Sequence, residues 1–69
     1  KDQLIGVSLK EAQELALERV EGAGKDDIVI ALEYDDGGYK YEGDIIYSGH
    51  KYDFEIHAMT GEFLEWRKE

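Results

Sequence analysis

Residues 54 to 66, FEIHAMTGEFLEW, hold the side chains of this chain with the greatest potential for chemistry. His57 lies among glutamates and large apolar residues, next to a Thr60-Gly61 pair. Imidazole is both a general base and a common metal ligand near neutral pH. The sequence therefore raises the question of whether His57 and its acidic neighbours form a site.

The rest of the chain offers this histidine no partner for catalysis. There is no cysteine, and the local pattern assigns Ser8 to a helix cap and Ser48 to a turn. The predicted strand register places no serine or threonine beside a histidine, and it puts His50 and His57 on opposite faces of the sheet. We therefore predict no enzyme activity, no catalytic residue, no cofactor and no transition-metal site.

Composition limits the classes of partner. The 69 residues carry 17 acidic against 8 basic side chains, a formal charge of −9 at pH 7. Such a charge repels phosphate groups, so nucleic acid is not expected as a partner. No apolar run approaches the roughly 18 residues of a membrane span, so we expect no direct membrane insertion by this segment. The length fits one domain over residues 1–69, and the start at Lys1 suggests a piece of a longer protein.

Periodicity predicts one helix followed by strands. From Leu9 to Val20 apolar side chains recur at steps of three and four residues, after a capping box formed by Ser8 and Glu11. In the lead-in before this helix, Leu4, Ile5 and Val7 are expected to pack against the domain. After Asp27 the period changes to two, in the runs IVIALEY, YKYEGDIIY, KYDFEIHA and FLEWR. The pattern predicts an α+β domain, with the N-terminal helix packed on one face of a four-stranded antiparallel meander.

The first two turns set the register, because residues paired across an antiparallel hairpin point to the same face. Turns centred on Asp36-Gly37 and on Ser48-Gly49 bury the same face in both hairpins. Leu32 then opposes Tyr41, and Ile45 opposes Tyr52. Gly43 falls on that face as well, where it is expected to admit a ring or the helix at close range.

The third turn allows two registers. A two-residue loop would send Trp66 outward, whereas the three-residue loop Met59-Thr60-Gly61 places Phe54 opposite Trp66 and Ile56 opposite Leu64. We choose the longer loop, because it buries the tryptophan and gives Gly61 the left-handed position of a bulge. This register leaves three apolar side chains on the open face of the sheet: Val29, Ile46 and Phe63.

The open face is predicted to be acidic, and its carboxylates are the candidate partner-binding residues: Glu42, Asp44, Asp53, Glu55 and Glu65. The register opposes Glu42 to Glu55, Glu55 to Glu65, and Asp44 to Asp53. Each pair of like charges opposed in this way destabilises a sheet by about 0.2 kcal/mol or more. In one interpretation, water solvates these carboxylates and nearby cations reduce their mutual repulsion, namely Lys40, Lys51 and Arg67. In the other, the row binds a basic partner, or it holds a calcium ion weakly at Glu42, Glu55 and Glu65.

The two edges of the predicted sheet offer a different route to binding. Strand one, about residues 28–34, and strand four, about residues 63–67, have unpaired backbone groups on their outer sides. An extended peptide, or a second copy of the domain, can pair with such an edge.

Three segments, SLKEAQELALERV, YKYEGDI and KYDFEIHAMTGEFLEW, together resemble a PepSY domain over about Val7 to Trp66. The family pattern most often has aspartate where this chain has His57. The resemblance implies an extracytoplasmic module of secreted or lipid-anchored bacterial proteins, as in the propeptides of thermolysin-type metallopeptidases. It implies a binding or regulatory role toward a protein partner, either a peptidase or a neighbouring domain copy. The alternative is a structural spacer of a cell-envelope protein, with no ligand of its own.

Overall fold

A computed structural model describes residues 6–69 as one helix packed against a four-stranded antiparallel sheet. Leu4 and Ile5 lie outside the described residues. The strand order across the sheet is the order along the chain, so the predicted α+β meander is confirmed. The elements are α1 (Leu9–Leu17), a 3-10 turn (Lys25–Asp27), β1 (Ile28–Asp35), β2 (Gly38–Tyr47), β3 (His50–His57) and β4 (Phe63–Lys68).

The helix begins at the predicted capping box. The Ser8 hydroxyl accepts the N–H of Glu11 at 3.1 Å, and the Glu11 carboxylate accepts the N–H of Ser8 at 2.8 Å. These two bonds satisfy backbone donors that the first turn of a helix leaves without an internal partner.

The regular part of α1 ends at Leu17, three residues before the predicted end at Val20. The chain continues in a tighter turn, in which the N–H of Val20 donates to the carbonyl of Leu17 at 3.1 Å. Val20 is nevertheless buried, and Ala12 and Ala16 are fully buried against the sheet. The small alanine side chains let the helix backbone approach the strands closely.

The first two hairpins have the predicted register. Leu32 pairs with Tyr41, and Ile45 pairs with Tyr52. Gly43 pairs with Phe54, and a Cβ atom on this glycine would overlap the carbonyl oxygen of Val29 and lie 3.0 Å from Cζ of the Phe54 ring. The expected close approach at Gly43 is therefore confirmed. The buried core of the described residues comes from α1 and the turn that follows it, from β2 and β3, and from the turn after β3: Ala12, Ala16, Val20, Tyr41, Ile45, Phe54, Ile56 and Ala58.

The third hairpin confirms only part of its predicted register. Phe54 pairs with Trp66 as predicted, but Ile56 pairs with Phe63 rather than with Leu64, because a β-bulge interrupts the ladder. The loop is also one residue longer than predicted, since the N–H of His57 donates to the carbonyl of Glu62 at 2.8 Å. The extra loop residue at the turn is balanced by the extra residue of the bulge.

Because of the bulge, the first two side chains of β4 lie on the faces opposite to those predicted. Phe63 was predicted on the open face, but its ring lies edge-on to Trp66 at a centroid distance of 5.6 Å, and the Arg19 guanidinium stacks over it at 3.8 Å. Leu64 was predicted in the core, but it is 51% exposed. Both predictions were wrong, because the choice depends on which side chain fits between the aromatic rings and the helix. Gly61 has the predicted left-handed conformation, with φ +83°.

Candidate functional site

The face of the sheet opposite α1 carries a shallow acidic trough of about 310 Å³. Within the described residues, no helix or strand covers this face. Apart from the bulge, the side chains of each strand alternate between the two faces, so every second residue lies on this open face, and some of these residues line the trough. Its charged lining is Glu33, Glu42, Asp44, Asp53, Glu55, Glu65 and Arg67.

The structure brings together all five carboxylates predicted for this face. Glu42 pairs with Glu55, Glu55 pairs with Glu65, and Asp44 pairs with Asp53. The bulge in the third hairpin falls between Glu55 and Ile56. It therefore lies beyond the acidic row and leaves that part of the register unchanged.

Lys40 joins two of the opposed carboxylates. Its Nζ lies 3.2 Å from Glu42 Oε2 and 3.2 Å from Glu55 Oε1. Lys40 pairs with Glu33 across β1 and β2, and its long side chain brings the ammonium group to Glu42 and Glu55 at the middle of the sheet. A cation shared between two carboxylates offsets the repulsion that their direct pairing would cause.

Arg67 has a similar place at the other side of the trough. Its guanidinium lies 3.2 Å from Glu65 Oε2 and 3.4 Å from Asp53 Oδ2. A hydrogen bond with the Glu69 side chain lowers the pKa of Asp53, and the charges of Lys51 and Arg67 lower it further. Asp53 is therefore ionised over the whole physiological range of pH.

The cations compensate the acidic face only in part. Six carboxylates line the trough, whereas three cations pair with carboxylates of this face: Lys40, Lys51 and Arg67. Within residues 6–69, Asp44 has no ion-pair partner. The face keeps a net negative charge and attracts cationic groups.

The described part of the chain contains no preformed metal-binding site. Residues 6–69 contain no group of three or more histidine or carboxylate side chains arranged to hold a metal ion. Between Glu42 and Glu55, the gap that a calcium ion would enter holds the ammonium group of Lys40. Calcium binding at Glu42, Glu55 and Glu65 stays a prediction.

His57 has a structural partner that the sequence reasoning missed. Its Nδ1 accepts the N–H of Met59 at 3.1 Å and lies 3.4 Å from the N–H of Thr60. An aspartate side chain accepts from the backbone two residues onward in the same way, in an Asx-turn. The sequence contained evidence for this role, because His57 stands immediately before the turn, at the position where the family pattern most often has aspartate.

The same turn is tied to the segment that leads into the helix. The N–H groups of Gly6 and Val7 both donate to the carbonyl of Ala58, at 2.9 and 2.8 Å. The Tyr41 hydroxyl donates to the carbonyl of Val7 at 2.6 Å. Burial, with a smaller contribution from the charge of Glu11, raises the pKa of Tyr41. His57 therefore supports a turn that anchors the N-terminal segment.

Replacing His57 by alanine is expected to destabilise the protein by about 1 kcal/mol, because the turn loses its side-chain acceptor. For a domain of this size, the melting temperature would fall by about 4–8 °C. His57→Asp provides a carboxylate acceptor and should retain most of the stability. Thermal unfolding followed by circular dichroism measures both variants. Equal destabilisation by alanine and by aspartate would show that the acceptor is unimportant.

Comparison with known proteins gives one match. The PepSY family model, described as "Peptidase propeptide and YPEB domain", matches residues 6–67. No curated protein and no solved structure matches the chain. In the part of the chain that the structure describes, no helix has the length and apolar character needed to cross a membrane.

Proposed function

Because this chain belongs to the PepSY family, we propose that it is a non-enzymatic, extracytoplasmic module that binds a protein partner through the open face of its sheet. PepSY modules are of the peptidase-propeptide type and are in general extracytoplasmic. The proposed partner is a peptidase, and binding lowers its activity.

The observation that carries this proposal is the chemistry of the open face. The acidic trough lies beside two exposed apolar side chains, Val29 at 71% and Ile46 at 59% exposure. These two residues are diagonal neighbours on the open face, because Val29 pairs with Asp44, two residues before Ile46. A basic surface with a small apolar contact would neutralise the uncompensated carboxylates and cover the apolar pair.

The geometry of His57 supports a role without catalysis. A general base needs a free lone pair directed at a substrate proton. The Nδ1 atom of His57 instead accepts a backbone N–H group of the third turn. This histidine is therefore assigned to the fold rather than to a reaction.

An inhibition assay tests the proposal with matched charge variants. The domain is titrated into a thermolysin-type metallopeptidase, and the activity that remains is measured. Replacing Glu42, Glu55 and Glu65 by glutamine should weaken inhibition by at least about tenfold. The control replaces three exposed carboxylates near the helix by glutamine, namely Glu14, Glu18 and Glu21, which changes the net charge equally. This control should inhibit like the unmodified domain.

The outcomes separate the proposal from the alternatives. Equal loss of inhibition in both triple variants would mean that overall charge matters rather than the open face. If the domain neither inhibits nor binds any peptidase tested, the spacer role becomes the better account. Peptide hydrolysis by the purified domain alone would contradict the non-enzymatic role.

A further inference from the structure

The two edges of the sheet differ in how well they are protected against pairing with another chain. Natural edge strands are commonly protected by bulges, by lysine and by proline. Strand β4 has a bulge near Leu64 and carries Arg67 and Lys68. It therefore has two of these protective features.

Strand β1 has none of them. Its sequence, IVIALEYD, contains no lysine, arginine or proline. All eight residues pair with β2 without any shift in register. Within the described residues, no strand pairs with the outer side of β1. The outward backbone groups of β1 therefore form a regular, accessible ladder.

The side chains beside this ladder differ between the two faces of the sheet. On the face of the helix, Leu32 is 41% exposed and Tyr34 is 67% exposed. On the open face, Val29 is exposed near the start of the strand, and Glu33 is exposed near its end, where it lines the acidic trough. A strand added here would lie beside apolar side chains on the helix face. On the open face, its neighbours would be apolar near the start of β1 and acidic near its end.

We propose that an extended basic segment of the partner protein pairs with β1 as a fifth strand. The proposal rests on the proposed function, because it specifies how the same partner is held. The bound segment alternates in character: apolar side chains lie beside Leu32 and Tyr34, and at least one lysine or arginine faces Glu33 and the acidic trough. Backbone hydrogen bonds to β1 supply affinity, and the alternating side chains supply specificity.

Charge favours such a segment over a second copy of this chain. Each copy carries a formal charge of −9, so two copies repel each other over the distance at which their β1 edges would pair. A basic segment removes that repulsion and neutralises carboxylates that the local cations leave uncompensated.

A synthetic peptide tests this mode of binding. The probe has the length of β1, blocked ends, and alternating valine and lysine. Leu32→Lys places a charge at the β1 edge, and its matched control, Leu64→Lys, makes the same change at the exposed edge residue of β4. Leu32→Lys should weaken peptide binding by at least about tenfold, whereas Leu64→Lys should change it by less than about twofold. Binding is measured by fluorescence anisotropy of the labelled peptide.

Two further measurements keep the result independent of folding defects. Circular dichroism establishes that the lysine variants are folded, and Val29→Lys provides a second change at β1 at a highly exposed position. A peptide methylated on alternate backbone nitrogens should lose binding, because it cannot donate to the edge. Unchanged binding by this methylated peptide would overturn strand pairing.

The remaining outcomes distinguish this inference from the proposed function. If glutamine at Glu42, Glu55 and Glu65 abolishes peptide binding while Leu32→Lys does not, the open face binds the partner and the edge inference fails. If neither change affects peptide binding, the open-face proposal and the edge inference both fail for a peptide of alternating valine and lysine. A dimer of the free protein in sedimentation, removed by Leu32→Lys, would make a second copy the occupant and overturn the basic segment.

Discussion

Replacing Gly43 by alanine is expected to destabilise the protein by about 3 kcal/mol or more, because the added methyl group has no space. Its Cβ would overlap the carbonyl oxygen of Val29 and lie 2.9 Å from the Cα of Ile30 and 3.0 Å from Cζ of Phe54. Two of these three neighbours are backbone atoms, so rotation of a side chain cannot relieve the overlap. Chemical denaturation gives the free energy of unfolding.

Gly24→Ala is the matched control for this prediction. Gly24 has φ −130°, a conformation that alanine adopts easily, and a Cβ there would meet no atom within 4 Å. Its free energy of unfolding should change by less than about 1 kcal/mol. Similar effects at both glycines would show that the strand spacing at Gly43 adjusts to a methyl group.

Replacing Phe54 by alanine is expected to cost about 3–5 kcal/mol, the range for removing a buried aromatic ring. Phe54 is only 2% exposed. Its ring stacks on Trp66 at a centroid distance of 6.0 Å and meets the edge of Phe63 at 6.5 Å. A chain of 69 residues has a total stability of about 3–10 kcal/mol. The variant should therefore lose at least about a third of the free energy of unfolding, as measured by chemical denaturation followed by circular dichroism and Trp66 fluorescence.

Leu64→Ala provides the comparison for Phe54→Ala, because the sequence pattern assigned both residues to the core. Leu64 is 51% exposed in the structure, so its truncation should cost less than about 1 kcal/mol. A large loss of stability for Leu64→Ala, with a small one for Phe63→Ala, would instead support the register without the bulge.

The two proposed binding elements are adjacent, and one partner can use both. Glu33 belongs to β1 and also lines the acidic trough. A strand added beside β1 would extend the open face by one strand, and its cationic side chains would lie next to the uncompensated carboxylates. The edge would hold the backbone of the partner, and the face would select its charge.

The acidic face was predictable from the sequence because its position depends on the register alone. Once the turns at Asp36-Gly37 and Ser48-Gly49 are identified, simple alternation places Glu42 opposite Glu55 and Asp44 opposite Asp53. Turn chemistry and a period of two are local properties, so neighbouring residues in the chain are enough to specify them. The same holds for the capping box at the start of α1.

The long cationic side chains were less predictable. Lys40 stands opposite Glu33 in the register, and its ammonium group also lies between Glu42 and Glu55, which no local pattern predicts. A lysine side chain has several rotatable bonds and reaches acceptors on either side of its strand. The electrostatic field of the whole face determines which carboxylates pair with the lysine, and no local sequence pattern describes that field.

Residue types and their spacing along the chain are enough to specify the order of the elements, the register of the first two hairpins and the face on which the carboxylates lie, because each follows from periodicity and turn type. The choice of Phe63 rather than Leu64 for the core became visible only in the folded molecule. That choice depends on contacts between distant parts of the chain, where Phe63 fits between Trp66, Phe54 and the guanidinium of Arg19. Tertiary structure also decided the role of His57, since the bend of the third turn brings backbone N–H groups to its ring nitrogen.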